Sequence, residues 1–239
     1  MAISDEISGV LDNFVAWVDC LRHPYRSCER ILRARISERN KITRALKLWL
    51  VAFVIHIVLR IPAMQHMGVD WSSSGFQLAN TALILLVLLL AVVLAHVGLR
   101  WRGIPSRFTD TFVIYTVLIA VFVPLNTLLF YYTNFEQPSL LREIKTHNLG
   151  FVEALRFFYS FPDASRPMVF RVYQAVTWPL FVISWSAFVV MFADLAARVY
   201  KADRYRVIST LGLVFGVAFP VAVVPLVIFI AFLTFSFIR

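Results

Sequence analysis

Apolar residues in this chain gather into five runs, beginning near Lys47, Leu78, Phe108, Tyr173 and Val207, while most charged residues fall between them. An α-helix needs roughly 20 predominantly apolar residues to cross the hydrocarbon of a bilayer, because lipid cannot satisfy open backbone groups. The pattern predicts an all-α polytopic membrane bundle of five transmembrane helices, with spans at about 47–64, 78–99, 108–132, 173–197 and 207–238. The last run covers about 48 Å at ~1.5 Å per residue, generous for one tilted crossing and short for two with a turn. The first run is preceded by more than forty residues, which sets it apart from a cleaved secretory signal.

Residues 1–46 predict two cytoplasmic helices ahead of the membrane domain 47–239. From Ser4 to Leu21, the residues Ile7, Val10, Leu11, Phe14, Trp17, Val18 and Leu21 recur at the spacing that lines one helical face, with Asp5, Asp12 and Asp19 opposite. Acidic charge on the outer face weakens docking on anionic lipid. The stripe is therefore expected to pack on the protein's own spans or on a protein partner. His23-Pro24 breaks this helix, since proline disfavours helical geometry in the residue before it. A second, basic helix is expected from Ser27 to about Lys47. Its Arg30, Arg33, Arg35, Arg39, Lys41 and Arg44 form a collar attracted to lipid headgroups by up to about 1 kcal/mol per cation. Between spans three and four, the outer region 134–172 predicts interfacial helices around Leu140, Leu141 and Ile144 and around Phe151, Leu155 and Phe158, ended by Pro162 and Pro167.

The net charge of +9 sharpens the topology. Sixteen cations lie up to and including Lys47 at the start of the first span, in the joint 100–107 and in the joint 198–206; seven lie on the other side. Positive residues near span ends resist translocation, so the N-terminus is expected in the cytoplasm and the C-terminus outside. That distribution follows membrane topology and argues against nucleic acid as a partner. Hydrophobic residues make up 60% of the chain and the mean hydropathy is +0.76, which agrees with lipid as the main solvent. Cys20 and Cys28 fall in the cytoplasmic segment, where thiols stay reduced. With His23 they supply three soft ligands, one short of a structural zinc site, so no metal and no cofactor is expected.

Catalytic constellations are missing from the sequence. It holds no nucleophile elbow, phosphate-binding glycine loop or metalloprotease histidine pair, and an enzyme is not expected. A lipid-modifying enzyme would need clustered His, Asp or Glu; the nearest approach, Glu143 with His147, has the spacing of a solvated helix face. Polar residues inside spans are costly and so mark candidate sites. His56 is expected to bond a neighbouring helix, and Asn126 the carbonyl that Pro124 leaves without a donor. Asp194 is expected to pair with Arg198 four residues on. Pro179, Pro220 and Pro225 permit kinks, and Gly212-x3-Gly216 permits close helix approach.

The layout resembles the Yip (Ypt-interacting protein) family, whose members carry a cytoplasmic N-terminal segment and five spans, with the C-terminus outside. Local features resemble its bacterial branch: a proline-broken helix before the first span, LRHPYRSCERIL, and a short basic joint, GLRWRGIPSRFTDTFVIYT, followed by proline in span three. The Asp-Leu-Tyr-Gly-Pro string of eukaryotic members is absent, so the resemblance carries over no trafficking role and no functional residue. Arginine outnumbers lysine nineteen to four, a bias of GC-rich bacterial genomes that points to an inner membrane. The function expected is a non-enzymatic scaffold or complex subunit contacting membrane lipids, a protein partner or a second copy. The alternative is a small permease or channel built around His56, Asn126 and Asp194.

Overall fold

A computed structural model describes residues 2–66, 74–129, 168–219 and 221. They form α1 (Ala2–Arg22), α2 (Pro24–Arg33), α3 (Glu38–His66), α4 (Ser74–Trp101), α5 (Phe108–Leu129), α6 (Met168–Tyr200) and α7 (Arg204–Leu213), which runs on into a π-helical turn at Val214–Ala218. No strand occurs among the described residues. The bundle is all-helical, as the hydropathy pattern requires. Three stretches are long and apolar enough to cross a membrane: Glu38–Leu59, Phe108–Leu128 and Val182–Tyr200. Leu86–Trp101 is a shorter apolar helix. The expected interfacial helices around Leu140 and Phe151, together with Pro162, Pro220 and Pro225, lie outside the described residues.

The N-terminal segment departs from expectation at one point. The basic helix predicted from Ser27 to Lys47 is two helices. α2 stops at Arg33, Ala34 turns extended, and Ser37 Oγ accepts the Asn40 N–H at 3.3 Å to start α3 with Glu38 in its first turn. A serine cap followed by acid is a strong helix start, and it outcompetes continuation through a run of unpaired arginines. The basic residues from Arg39 to Lys47 consequently belong to the same helix as the first apolar run. At His23 the break falls where proline dictates it, with Pro24 at the first position of α2.

α5 is the axis of the bundle. Two thirds of its apolar window is buried, 67%, against 22% for α3 and 39% for α6. Contacts at both ends fix the directions of its neighbours. α3 runs alongside α5 in the same sense: Lys41 and Asp110 share one cavity near their first turns, and His56 bonds Thr127 some four turns on. α6 runs the other way, with Tyr200 on Thr111 and Ser184 on Asn126. An aromatic cluster fills the space between α5, α6 and α7. Tyr115 meets Phe188 edge-on at 5.5 Å, and Phe188 also meets Phe122 at 5.5 Å and Phe215 at 5.9 Å. Such pairs are worth about 0.5–1.5 kcal/mol each beyond area burial. That matters in lipid, where helices gain little from leaving an already apolar solvent.

Among the described residues, close helix approach happens at Gly98 rather than at the Gly-x3-Gly of the last run. A Cβ on Gly98 would stand 2.5 Å from Val214 Cγ2, whereas Cβ atoms on Gly212 and Gly216 would meet nothing within 4 Å among the described residues. α4 is thereby pressed onto the π-helical turn. Replacing Gly98 with alanine is expected to lower the unfolding midpoint in detergent by an overpacking cost of about 1–3 kcal/mol. Val214→Ala in the same chain is expected to recover most of the loss, and a Gly98→Ala protein as stable as the parent would refute the contact.

Candidate functional site

Trp17 reaches the middle of α5. Its indole Nε1 donates to the Ala120 carbonyl at 2.9 Å, and both groups are buried. The reason lies four residues on: Pro124 has no N–H, so the carbonyl of Ala120 loses the partner that an unbroken helix supplies. Sequence reasoning assigned this repair to Asn126. The structure gives that place to Trp17, while Asn126 Oδ1 accepts from Ser184 Oγ on α6 at 2.7 Å. A long aromatic donor from another helix can enter the gap beside the proline ring from the side. The carboxamide oxygen of Asn126, on the same helix as the gap, is used across to α6.

The rest of the α1 stripe divides around Trp17. Val18 and Leu21 are half-buried against the core, and Cys20 beside them is fully buried. Val10, Leu11, Phe14 and Val15 are 67%, 58%, 45% and 64% exposed. Ile7 belongs to the same helix. One end of the stripe therefore holds α1 to the bundle, while the other presents apolar side chains that no described residue covers.

The three polar residues inside the spans do not meet at one place. His56 Nδ1 is 2.6 Å from Thr127 Oγ1, and Thr127 in turn donates to the Val123 carbonyl at 2.7 Å. Asn126 bonds Ser184 nearby. Asp194 lies toward the opposite end: counting from the α3 start and the α6 end at ~1.5 Å per residue, it is about 18 Å from His56 along the bundle axis. There Asp194, buried to 8% exposure, binds Arg198 Nη2 at 2.9 Å and Arg204 Nε at 3.3 Å. The pair expected at i+4 is present, and Arg204 adds a second cation from α7. His96, on α4, is 3.1 Å from Ser106 Oγ.

Charge collects at the end of the bundle where α3, α5 and α7 begin and α4 and α6 finish. Arg206 of α7 donates to the Arg102 carbonyl at the α4 end, and Arg198 lies over the Tyr25 ring at 5.3 Å. Burial, and then the Asp194 charge, push the Tyr25 hydroxyl above its usual range. Within the basic collar, Arg30 pairs with Asp19 at 3.1 Å and Arg33 with Glu29 at 3.1 Å, while Lys41 reaches Glu38 only at 3.5 Å. Arg35, Arg39 and Arg44 are exposed. A cavity of about 320 Å³ opens at this end, lined by Glu29, Leu32, Arg33, Lys41, Arg107, Asp110, Arg198, Val199 and Lys201. Sequence reading picked out Arg33 and Lys41 for the collar and Arg198 as the partner of Asp194 but missed Arg107 and Lys201, and only the folded joints bring these together.

Compared with known proteins, the chain matches no family model, no curated protein and no solved structure.

Cys20 and Cys28 are free thiols, both wholly buried, while His23 between them is exposed. The three potential ligands thus face different surroundings, and no group of three His, Cys, Asp or Glu able to hold a metal occurs among the described residues. Burial, and then the Asp19 charge, push the Cys20 thiol up to about 12; burial raises Cys28 further. Neither forms a thiolate near neutral pH, and the thiolate is the reactive form.

Two outcomes follow from this geometry. Trp17→Phe, which strands the buried Ala120 carbonyl, is expected to cost about 1–3 kcal/mol of stability. In a Pro124→Ala background, where a backbone N–H returns to that carbonyl, the same change is expected to cost less than half as much. Equal costs in the two backgrounds, measured by unfolding in detergent, would break the link between the residues. Maleimide is expected to label neither cysteine in the folded protein at pH 7 or at pH 9, and both after denaturation; labelling that climbs with pH in the folded state would show open thiols.

Proposed function

We propose that this chain is an integral membrane protein of Yip-like five-span type that acts without catalysis, as a membrane scaffold or as a subunit of a membrane complex. The N-terminus and the charged end face the cytoplasm in this reading, the C-terminus faces outside, and the membrane is a bacterial inner membrane. One observation carries it: His56, Asn126 and Asp194 are each occupied by a different neighbour at two separate levels. A conducting path needs polar groups that converge on water. Here the polar groups tie α3 to α5, α5 to α6, and α6 to α7, which is what a rigid support needs. The gathering of sixteen cations on the cytoplasmic side of the proposed topology adds support through the positive-inside bias.

Contacts with other molecules fall to the two surfaces the bundle leaves open. The exposed part of the α1 stripe, Val10, Leu11 and Phe14, suits a protein partner or a second copy. The exposed arginines of the collar suit anionic headgroups.

The test uses the whole protein in two settings. In liposomes carrying the protein alone, proton and cation fluxes are expected to equal those of protein-free vesicles, and protein-dependent uptake would replace the scaffold with a permease. In mild detergent, the purified protein is expected to carry a stoichiometric partner or a second copy. Leu11→Asp with Phe14→Asp is expected to abolish that association while the unfolding midpoint moves by less than about 1 kcal/mol, the range of exposed substitutions.

A further inference from the structure

We propose that the cavity at the charged end is a binding site for a phosphate group that carries a proton, with Lys41, Arg107, Arg198 and Lys201 as its cationic ligands and Asp110 as the acceptor of its P–O–H. The site stands on its own geometry and does not rest on the scaffold reading. Its volume, about 320 Å³, lies at the small end of ligand pockets, which run from roughly 300 to 1,000 Å³. Three features point to an anion.

The cations outnumber their acids. Arg33, Lys41, Arg107, Arg198 and Lys201 line the cavity with only Glu29 and Asp110 opposite. Arg33 is taken by Glu29 and Arg198 is shared with Asp194 outside, whereas Arg107 and Lys201 form no salt bridge among the described residues. Lys41 is held tightly in place. Its side chain is only 13% exposed, yet its nearest carboxylate, the half-exposed Glu38, stands at 3.5 Å. A charge-assisted bond normally closes to roughly 2.7–2.9 Å, and a desolvated ammonium without such a partner is costly. A ligand oxygen would supply what Glu38 does not.

Lys201 adds the second, independent feature. It has φ +51, the only non-glycine residue in the left-handed region among those described. It sits just past α6, where Ala202 N–H closes onto the Ala197 carbonyl at 3.1 Å. α4 ends in the same way, with Ile104 N–H on the Leu99 carbonyl at 2.9 Å, but there the left-handed residue is Gly103, φ +70. Glycine is the residue this position favours, since a Cβ costs energy there. At the α6 end that cost is accepted and a cation is put on the cavity wall. Strain kept by a charged residue at a cavity is a mark of function.

Asp110 is the third feature and sets the chemistry. A carboxylate in a cationic pocket repels a fully ionised anion but accepts a hydrogen bond from a protonated one. Near neutral pH inorganic phosphate keeps such a proton on a large share of its molecules, a phosphate monoester, with a second pKa of about 6, on a smaller share, and sulfate on none. Arg107 stands immediately before α5 and Asp110 in its first turn, where the positive dipole end also favours an anion.

The source of the phosphate is read by comparing two probes on the purified full-length protein in detergent: inorganic phosphate, and a soluble short-chain phosphatidate. Phosphate is expected to raise the unfolding midpoint and to bind at least tenfold more tightly than sulfate in titration calorimetry. Lys201→Gly is expected to fold with an equal or higher midpoint, because the strain is relieved, and to weaken phosphate binding about tenfold. Asp110→Asn is expected to erase the preference for phosphate over sulfate. Phosphatidate binding tenfold tighter than phosphate assigns the site to a lipid headgroup, and equal affinities assign it to free phosphate. The proposal is overturned if neither probe binds, if sulfate binds as well as phosphate to the unaltered protein, or if Lys201→Gly binds like it. Because Lys201→Gly removes a charge without removing a packed group, loss of binding there is not loss of fold.

Discussion

Every backbone carbonyl in a lipid-embedded bundle has to find its donor within the protein, and the carbonyl of Ala120 cannot find one on its own helix. Pro124 takes the donor away in the middle of α5, the most buried helix of the bundle. An unsatisfied polar group in hydrocarbon costs several kcal/mol. The indole of Trp17 removes that cost and, in doing so, decides where α1 goes. A helix whose outer face carries aspartates is held against α5 by its one buried tryptophan. α2 follows across the His23-Pro24 break, seating Cys28 and Ile31 in the core and Tyr25 beside Arg198. The charged cavity depends on this chain of placements, because Glu29, Leu32 and Arg33 of α2 form one of its walls.

The two joints at the charged end are built on the same helix ending. α4 and α6 both close with a left-handed residue and a carbonyl bonded five residues on, and both release the chain into a short turn leading to the next helix. At the α4 joint the glycine allows Arg206 of α7 to approach the Arg102 carbonyl; a Cβ on Gly103 would stand 3.2 Å from the Arg206 guanidinium. The α6 joint is braced differently, by Asp194 gripping Arg198 and Arg204. Exposed ion pairs contribute little, and Arg30–Asp19 or Arg33–Glu29 on their own are worth at most about 1 kcal/mol. Asp194 is another matter, since its carboxylate is buried and two cations hold it. Removing both would leave an uncompensated charge, the expensive case for a buried pair.

Much of the architecture was legible in the sequence, because hydropathy period and proline position act locally. The all-helical class, the break at His23-Pro24, the Asp194–Arg198 pair and the inter-helical bond of His56 all follow from residues a few positions apart or from the cost of a polar group in lipid. What escaped depends on which distant residue arrives first. Asn126 and Trp17 were both competent to serve Ala120, and only the packing of α1 against α5 decides for Trp17. Gly212 and Gly216 carry the familiar spacing, yet the small residue that helices need is Gly98, whose partner Val214 is more than a hundred positions away. Lys201 could have been flagged from the sequence alone: the joint 198–206 holds no glycine, so some other residue has to turn left-handed if α6 ends as α4 does. The exact ends of the basic helices were hidden by Ser37, whose capping strength competes with a charge pattern that reads as continuous.

Polar chemistry is graded along the bundle axis. Away from the charged end, the polar contacts between helices involve no carboxylate, ammonium or guanidinium: imidazole with hydroxyl at His56–Thr127, amide with hydroxyl at Asn126–Ser184, indole to carbonyl at Trp17–Ala120. Near the charged end they involve full charges at Asp194, Arg198 and Arg204, with Lys41 almost enclosed. Hydrocarbon tolerates the first kind, since each group is satisfied once and no ion is stranded, and it rejects the second away from water. The gradient is therefore what a membrane imposes on a bundle that needs both cohesion and ionic recognition. For a bundle in a membrane, that arrangement puts cohesion within reach of lipid and the ions within reach of water and headgroups. An anionic ligand would find its charge met in the cavity at this end, whose wall is drawn from α2, α3, α5, α6 and the joints beside them.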